Sequence, residues 1–237
     1  TVKPFDNKSV RQAINMAINK AAIVPKVYLG GAMPAKNPLP PTIWGYDDKV
    51  PAYPYDPAKA KAMLEAAGVT DLTADLWYLP VSRPYNLDGK KMAELMQADL
   101  AKVGIKAKLV TYDWAEYLKR MRDGQAPMAQ AGWTGDIGDP DNFLYGHGCN
   151  GTGTPGGQNY EKWCNSDYDA LLKQGKETSD QAQRIAIYAK AQALFHDEAP
   201  VVPLIHSVDA MPMSKKVQGY VMDPLGYHNF EGVSVAR

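Results

Sequence analysis

The strongest constraint on this chain is an alternation of short apolar runs and helical stretches between residues 75 and 133. Residues 75–79 read as a strand. Residues 87–103 carry helical spacing and stop at Gly104. Residues 106–112 alternate apolar and polar side chains, as a second strand does. Asp113-x-x-Glu116 has the form of a capping box opening a helix over 114–122, which Gly124 ends. Residues 128–133 form a third apolar run. Strand-helix-strand-helix-strand is the order of an α/β fold with a partly parallel sheet, because parallel neighbours need a crossover between them.

Helices flank this unit. Residues 7–18 place Val10, Ile14, Ala17 and Ile18 on one face. Asn19 is positioned as the N-cap of a second helix over 20–28, closed by Gly30 and Gly31. Residues 33–55 contain Pro34, Pro38, Pro40, Pro41, Pro51 and Pro54, which exclude helix and central strand. That stretch reads as an extended surface loop pinned by Trp44 and Tyr46. Asp56-Pro57 opens the next helix, as N-cap and first-turn proline, and Gly68 closes it. Further on, helices are predicted over 166–174 and over 179–196, the second capped by Ser179. A buried strand is predicted over 201–207. The tail from Pro212 is irregular, with Tyr220, Tyr227 and Phe230 as expected packing points.

The 237 residues suffice for one large domain or two small ones, and 45% of them are apolar. Lys+Arg and Asp+Glu balance at 26 each, which argues against a nucleic-acid partner. No apolar run approaches the roughly eighteen residues that span a bilayer. Thr1 to Asn7 lacks the basic start and apolar stretch of a signal peptide, so the chain reads as processed or cut from something longer. Cys149 and Cys164 stand 15 residues apart and bracket a glycine-rich segment. A disulfide-closed loop is one reading, two free thiols the other. The disulfide would contribute about 3 kcal/mol in the chain-entropy model and implies an oxidising compartment.

Two turns carry candidate chemistry. Arg83 lies in Pro80-Val81-Ser82-Arg83-Pro84-Tyr85-Asn86, after the first strand. Asp136 lies in Gly132-Trp133-Thr134-Gly135-Asp136, after the third. Ligands of α/β sheets bind beyond the carboxyl ends of strands, so one cation and one anion placed there suit a zwitterion. A dipeptide's charged ends lie under about 7 Å apart. Arg83 could clamp its carboxylate by two parallel hydrogen bonds, and Asp136 could accept from its ammonium. The alternative is an ordinary surface arginine and a turn aspartate. Trp133, Trp114, Trp77 and Tyr85 could line an apolar pocket or belong to the core. Asp136, Asp139 and Asp141 fail the calcium-loop pattern, and an Asx turn before Pro140 explains them better. The scattered histidines show no zinc spacing, no phosphate loop or nucleophile elbow occurs, and neither metal nor cofactor is expected. Asp136 and Asp139 as the paired carboxylates of a secreted hydrolase form a remote alternative.

The chain resembles the C-terminal half of the periplasmic dipeptide-binding proteins, in the extracytoplasmic peptide- and nickel-binding family (solute-binding family 5) of ABC importers. The resemblance is carried by Val10-Arg11-Gln12-Ala13-Ile14-Asn15, Pro40-Pro41-Thr42-Ile43-Trp44-Gly45-Tyr46 and Tyr55-Asp56-Pro57-x-Lys59-Ala60-Lys61. It continues through the Arg83 and Asp136 turns, Thr111-Tyr112-Asp113-Trp114, Asn159-Tyr160-x-Lys162-Trp163-Cys164 and Gly219-Tyr220-Val221-x-Asp223-Pro224. It implies a type II periplasmic-binding-protein lobe, a mixed β-sheet flanked by helices, and a binding protein rather than an enzyme. It implies that Asp136 binds a peptide's ammonium and Arg83 its carboxylate, with Trp133, Thr134, Gly135, Tyr85 and Trp114 around them. It pairs Cys149 with Cys164. It divides the chain into a ligand-binding lobe, 1–205, and a tail, 206–237, that returns to an N-terminal lobe not present here. The implied partners are a dipeptide, that other lobe and an inner-membrane permease; haem, glutathione or a nickel complex are alternative ligands within the family.

Overall fold

A computed structural model describes residues 2–149, 158–223 and 225–236. The central sheet has three parallel strands in the order β3-β2-β4: β2 (Leu72–Trp77), β3 (Ile105–Val110) and β4 (Met128–Ala129). β2 pairs with β3 from Leu72↔Ile105 to Trp77↔Val110, and with β4 at Leu76↔Met128 and Trp77↔Ala129. Helix α4 (Gly89–Lys102) connects β2 to β3, and α5 (Trp114–Arg122) connects β3 to β4. The chain leaves β2 toward one side and then crosses back to the other. The carboxyl ends of β2 and β4 are therefore neighbours, at a topological switch point.

The middle strand is buried on both faces at its carboxyl end, where Leu76 and Trp77 lie. Successive side chains point to opposite faces, so Leu76 joins one core and Trp77 another. On the Leu76 face lie Met92, Ala93, Met96 and Leu100 of α4. Three further helices add to it: α1 (Lys8–Ala17), α2 (Lys20–Tyr28) and α3 (Pro57–Ala66). On the Trp77 face lie Tyr117 and Met121 of α5. A third cluster joins Leu144 and Trp163 to α7 (Ser166–Glu177) and α8 (Gln181–Glu198) through Tyr168, Leu172, Tyr188 and Phe195.

Local signals explain most boundaries. Asn7, Asn19 and Asp56 accept hydrogen bonds from the Ser9, Ala22 and Lys59 amides at 2.9, 3.1 and 2.9 Å, the work of N-caps. The proline-rich loop is pinned where expected: Trp44 packs edge-on to Tyr188, and Lys36 lies over Tyr46. Its first residues form a short strand that the prolines did not suggest, β1 (Ala32–Pro34), antiparallel to β5 (Ile205–Ser207). Parallel and antiparallel pairings thus both occur, in separate sheets.

Several expectations need correction. Asp113 makes no side-chain cap, and the Glu116 carboxylate turns to Arg120 at 2.6 Å rather than back to the helix start. Asp180, not Ser179, caps α8, accepting from the Gln183 amide at 2.8 Å. The strand expected over 201–207 is confined to Ile205–Ser207 and only half-buried, since Pro203 has no N–H to donate. β4 spans only Met128–Ala129, though the Gln130 amide still bonds Trp77 O at 2.9 Å. In the tail, β6 (Val217–Gln218) pairs with β7 (Ser234–Val235). Tyr220 and Phe230 pack on each other, but Tyr227 and Phe230 are 61% and 67% exposed and anchor nothing in the core.

Candidate functional site

The parallel pairing of β2 with β4 brings the two candidate turns to one edge. Arg83, Tyr85, Trp114, Trp133, Thr134 and Asp136 all line a single cleft of about 850 Å³. Gly135 does not: it backs the turn, where an added Cβ would stand 2.5 Å from the Phe143 ring. Trp77 does not either; it is 3% exposed in the core.

The Arg83 turn closes on itself. The Arg83 and Asn86 backbones exchange hydrogen bonds, each 2.9 Å long. Asn86 is buried and donates to Gln130 Oε1 at 2.9 Å. Between them, the Tyr85 carbonyl accepts from the Tyr28 hydroxyl at 2.9 Å. The Arg83 guanidinium lies 4.8 Å from the Trp114 ring centroid, a cation–π geometry. Trp114 stacks in turn on Tyr117, whose ring is 6.0 Å from Trp77. Among the described residues Arg83 forms no ion pair; its side chain hydrogen-bonds Tyr85 and, at 3.5 Å, Ser82 O. The planar fork is thus backed by an aromatic face and borders the cleft.

The second turn is organised by Asn142. Its Oδ1 accepts from the Trp133 indole at 3.0 Å and from the Asp136 amide at 2.9 Å. Asp136 is exposed and pairs with no cation among the described residues. Asp139, by contrast, caps the Asp141 amide at 3.0 Å and pairs with Arg184 at 2.9 Å. It is the Asx turn expected, and its engaged carboxylate leaves no free acid pair for hydrolysis.

Two contacts join the turns. Gln130 reaches from β4's end to Asn86. The Tyr85 ring lies over Gly132, where an added Cβ would come within 2.1 Å of Cδ2; only glycine admits the ring there. Burial raises the Tyr85 hydroxyl above its usual pKa, while the nearby Arg83 charge opposes the shift. His147 Nδ1 lies 2.5 Å from Glu161 Oε1 elsewhere on the cleft wall. Cys149 and Cys164 are disulfide-bonded; the glycine-rich segment between them lies mostly outside the described residues. Sequence spacing did not single out Gln130, Asn86 or Asn142. The sole hint was a polar residue, Gln130, inside an apolar run.

Comparison with known proteins decides the family. The model of the bacterial extracellular solute-binding proteins, family 5 Middle, matches residues 1–154. The chain belongs to this family. It is 49% identical over 235 residues to the dipeptide-binding protein of Escherichia coli, covering 98% of this chain and 44% of that protein. It is 47% identical to heme-binding protein A of Haemophilus influenzae, covering 98% and 42%. Among solved structures it superposes on the periplasmic binding protein DppA of Helicobacter pylori, in complex with peptide STSA, with a TM-score of 0.88. Identity there is 37%, and the match covers 100% of this chain and 45% of that one. The chain therefore spans less than half the length of these relatives. Membership agrees with the periplasmic-binding-protein fold and with a solute-binding role rather than an enzymatic one.

Proposed function

We propose that this chain is the C-terminal ligand-binding lobe of a periplasmic receptor that delivers dipeptides to an ABC permease. Asp136 accepts from the peptide ammonium, and Arg83 clamps the carboxylate. Trp133, Thr134, Tyr85 and Trp114 supply wall around them, and Gly135 shapes the Asp136 turn. One observation carries this reading: an unpaired cation and an unpaired anion face one cleft from the ends of adjacent parallel strands. Main-chain termini are the features all dipeptides share, so fixed charges there admit many side chains. Residues 1–205 are the lobe proper. The tail, 206–237, returns to the other lobe, and its exposed Val208, Met213, Val221 and Phe230 find cover there. Closure of two lobes around the ligand supplies the second half of the site.

Calorimetric titration of the full-length receptor tests the reading, with Ala-Ala beside its N-acetylated and C-amidated forms. Each block should weaken binding by roughly a hundredfold, since it removes a desolvated charge pair. Equal affinity for all three would end the terminus reading. The isolated chain should bind far more weakly than the whole receptor; micromolar affinity from it alone would contradict the two-lobe site. The Haemophilus relative, 47% identical, makes haem the second ligand to titrate. Haem binding unaffected by saturating dipeptide would assign it a different site.

A further inference from the structure

The two turns are tied together through one buried amide. Gln130 is 4% exposed. Its backbone holds it to the sheet: the amide donates to Trp77 O at 2.9 Å, and the carbonyl accepts from the Tyr117 hydroxyl at 2.8 Å. Its side chain reaches the other loop at three points. Oε1 accepts from the Leu79 amide at 3.1 Å and from Asn86 Nδ2 at 2.9 Å. Nε2 donates to Gly89 O at 3.0 Å. Leu79 and Gly89 flank the segment that carries Arg83, and Asn86 closes its turn.

We propose that Gln130 is a positioning residue that fixes the separation of Arg83 from Asp136 and thereby the peptide length the receptor prefers. This rests on terminus recognition as proposed above. Only a primary amide can accept from two donors and donate to a carbonyl from this position. A carboxylate would face Gly89 O without a proton, and a hydrocarbon would leave the Leu79 and Asn86 donors unmet in the interior. The path from cation to anion is short in sequence and hydrogen-bonded as far as Gln130. Arg83 and Asn86 exchange backbone bonds, Asn86 binds Gln130, and the chain runs directly from Gln130 to the Asn142-held turn. Each added residue lengthens an extended peptide by about 3.3–3.6 Å. A clamp held at one spacing therefore rejects a carboxylate displaced that far.

The test is calorimetry on the full-length receptor with Ala-Ala and Ala-Ala-Ala, for wild type and Gln130→Met, with thermal melting to confirm folding. Wild type should prefer the dipeptide. Gln130→Met should lose roughly tenfold for Ala-Ala and markedly less for Ala-Ala-Ala, so that the preference narrows. In an Arg83→Gln, Asp136→Asn background, Gln130→Met should have no further effect on affinity, because no charge pair remains to be spaced. Equal losses for both peptides, or a loss that persists in that background, would reduce Gln130 to a structural residue. A wild type indifferent to length would overturn the proposal as well. If Gln130→Met does not fold, Asn86→Ala cuts one of the three ties and must show the same narrowing, more weakly; a uniform loss overturns the idea. The acetylated and amidated peptides separate the two levels: a wild type that ignores them refutes terminus recognition itself, whatever the variants do.

Discussion

The two turns at the cleft are built to different standards. The Arg83 turn is closed by its own backbone, backed by the Trp114 ring and anchored inside the protein through Asn86 and Gln130. The Asp136 turn lies at the surface, and one acceptor, Asn142 Oδ1, serves both its indole and its amide. A cation held this way is in place before ligand arrives, whereas the anion depends on a single exposed side chain. Preorganisation lowers the ordering free energy of binding. The carboxylate end of a ligand should therefore meet the more firmly built contact, while the ammonium end relies on Asn142 to complete the spacing that Gln130 sets.

The most severe test of this asymmetry is Gln130→Met. It leaves the Leu79 and Asn86 donors without partners in the interior, and should destabilise the lobe by about 2–4 kcal/mol in urea unfolding. A loss under half a kcal/mol would mean that the Arg83 turn is not anchored from within. Gly132→Ala comes next. The new methyl must displace the Tyr85 ring, at about 1–3 kcal/mol, with an upward shift in the fluorescence-monitored midpoint ruling out the close packing. Asn142→Ala should barely change unfolding, by less than about 1 kcal/mol, as surface substitutions do. It should nevertheless shift Trp133 emission and weaken dipeptide binding about fivefold; unchanged emission would deny Asn142 its organising role. The smallest effect concerns pH. Neither turn contains histidine, so acid sensitivity should arise elsewhere, notably at His206 on β5. Burial pushes that imidazole down to about 4, below its ordinary value near 6.5. A depressed folded pKa means stability present above about pH 6.5 and lost as pH falls toward 4. Melting temperatures should follow that window equally in wild type and Asn142→Ala, and a variant-dependent slope would link β5 to the turn.

Much of this arrangement was legible in the sequence because its causes are local. Glycine, proline and the capping residues Asn7, Asn19 and Asp56 mark helix ends within a few positions of where they lie. The apolar runs and intervening helices gave parallel order, and parallel order put Arg83 and Asp136 on one edge. What was not legible depends on partners distant in the chain. Gln130 looks like a polar flaw in an apolar run until Leu79, Asn86 and Gly89 converge on it. Asn142 looks like any residue of an acidic turn. In the Asp113-x-x-Glu116 pattern the Glu116 carboxylate turns instead to Arg120, one helical turn on. Tyr227 and Phe230 are expected packing points on hydrophobicity alone, which does not say what a side chain packs against; both are exposed.

The shared direction of β2 and β4 has a consequence for reading order. With the proposed contacts, a ligand lies across the strand ends, its amino terminus over β4 and its carboxyl terminus over β2. Reversing it would set like charges against each other at both ends. Gly-Leu and Leu-Gly, identical in composition, would then present their one large side chain to different walls, so the receptor would distinguish sequence isomers by backbone polarity alone.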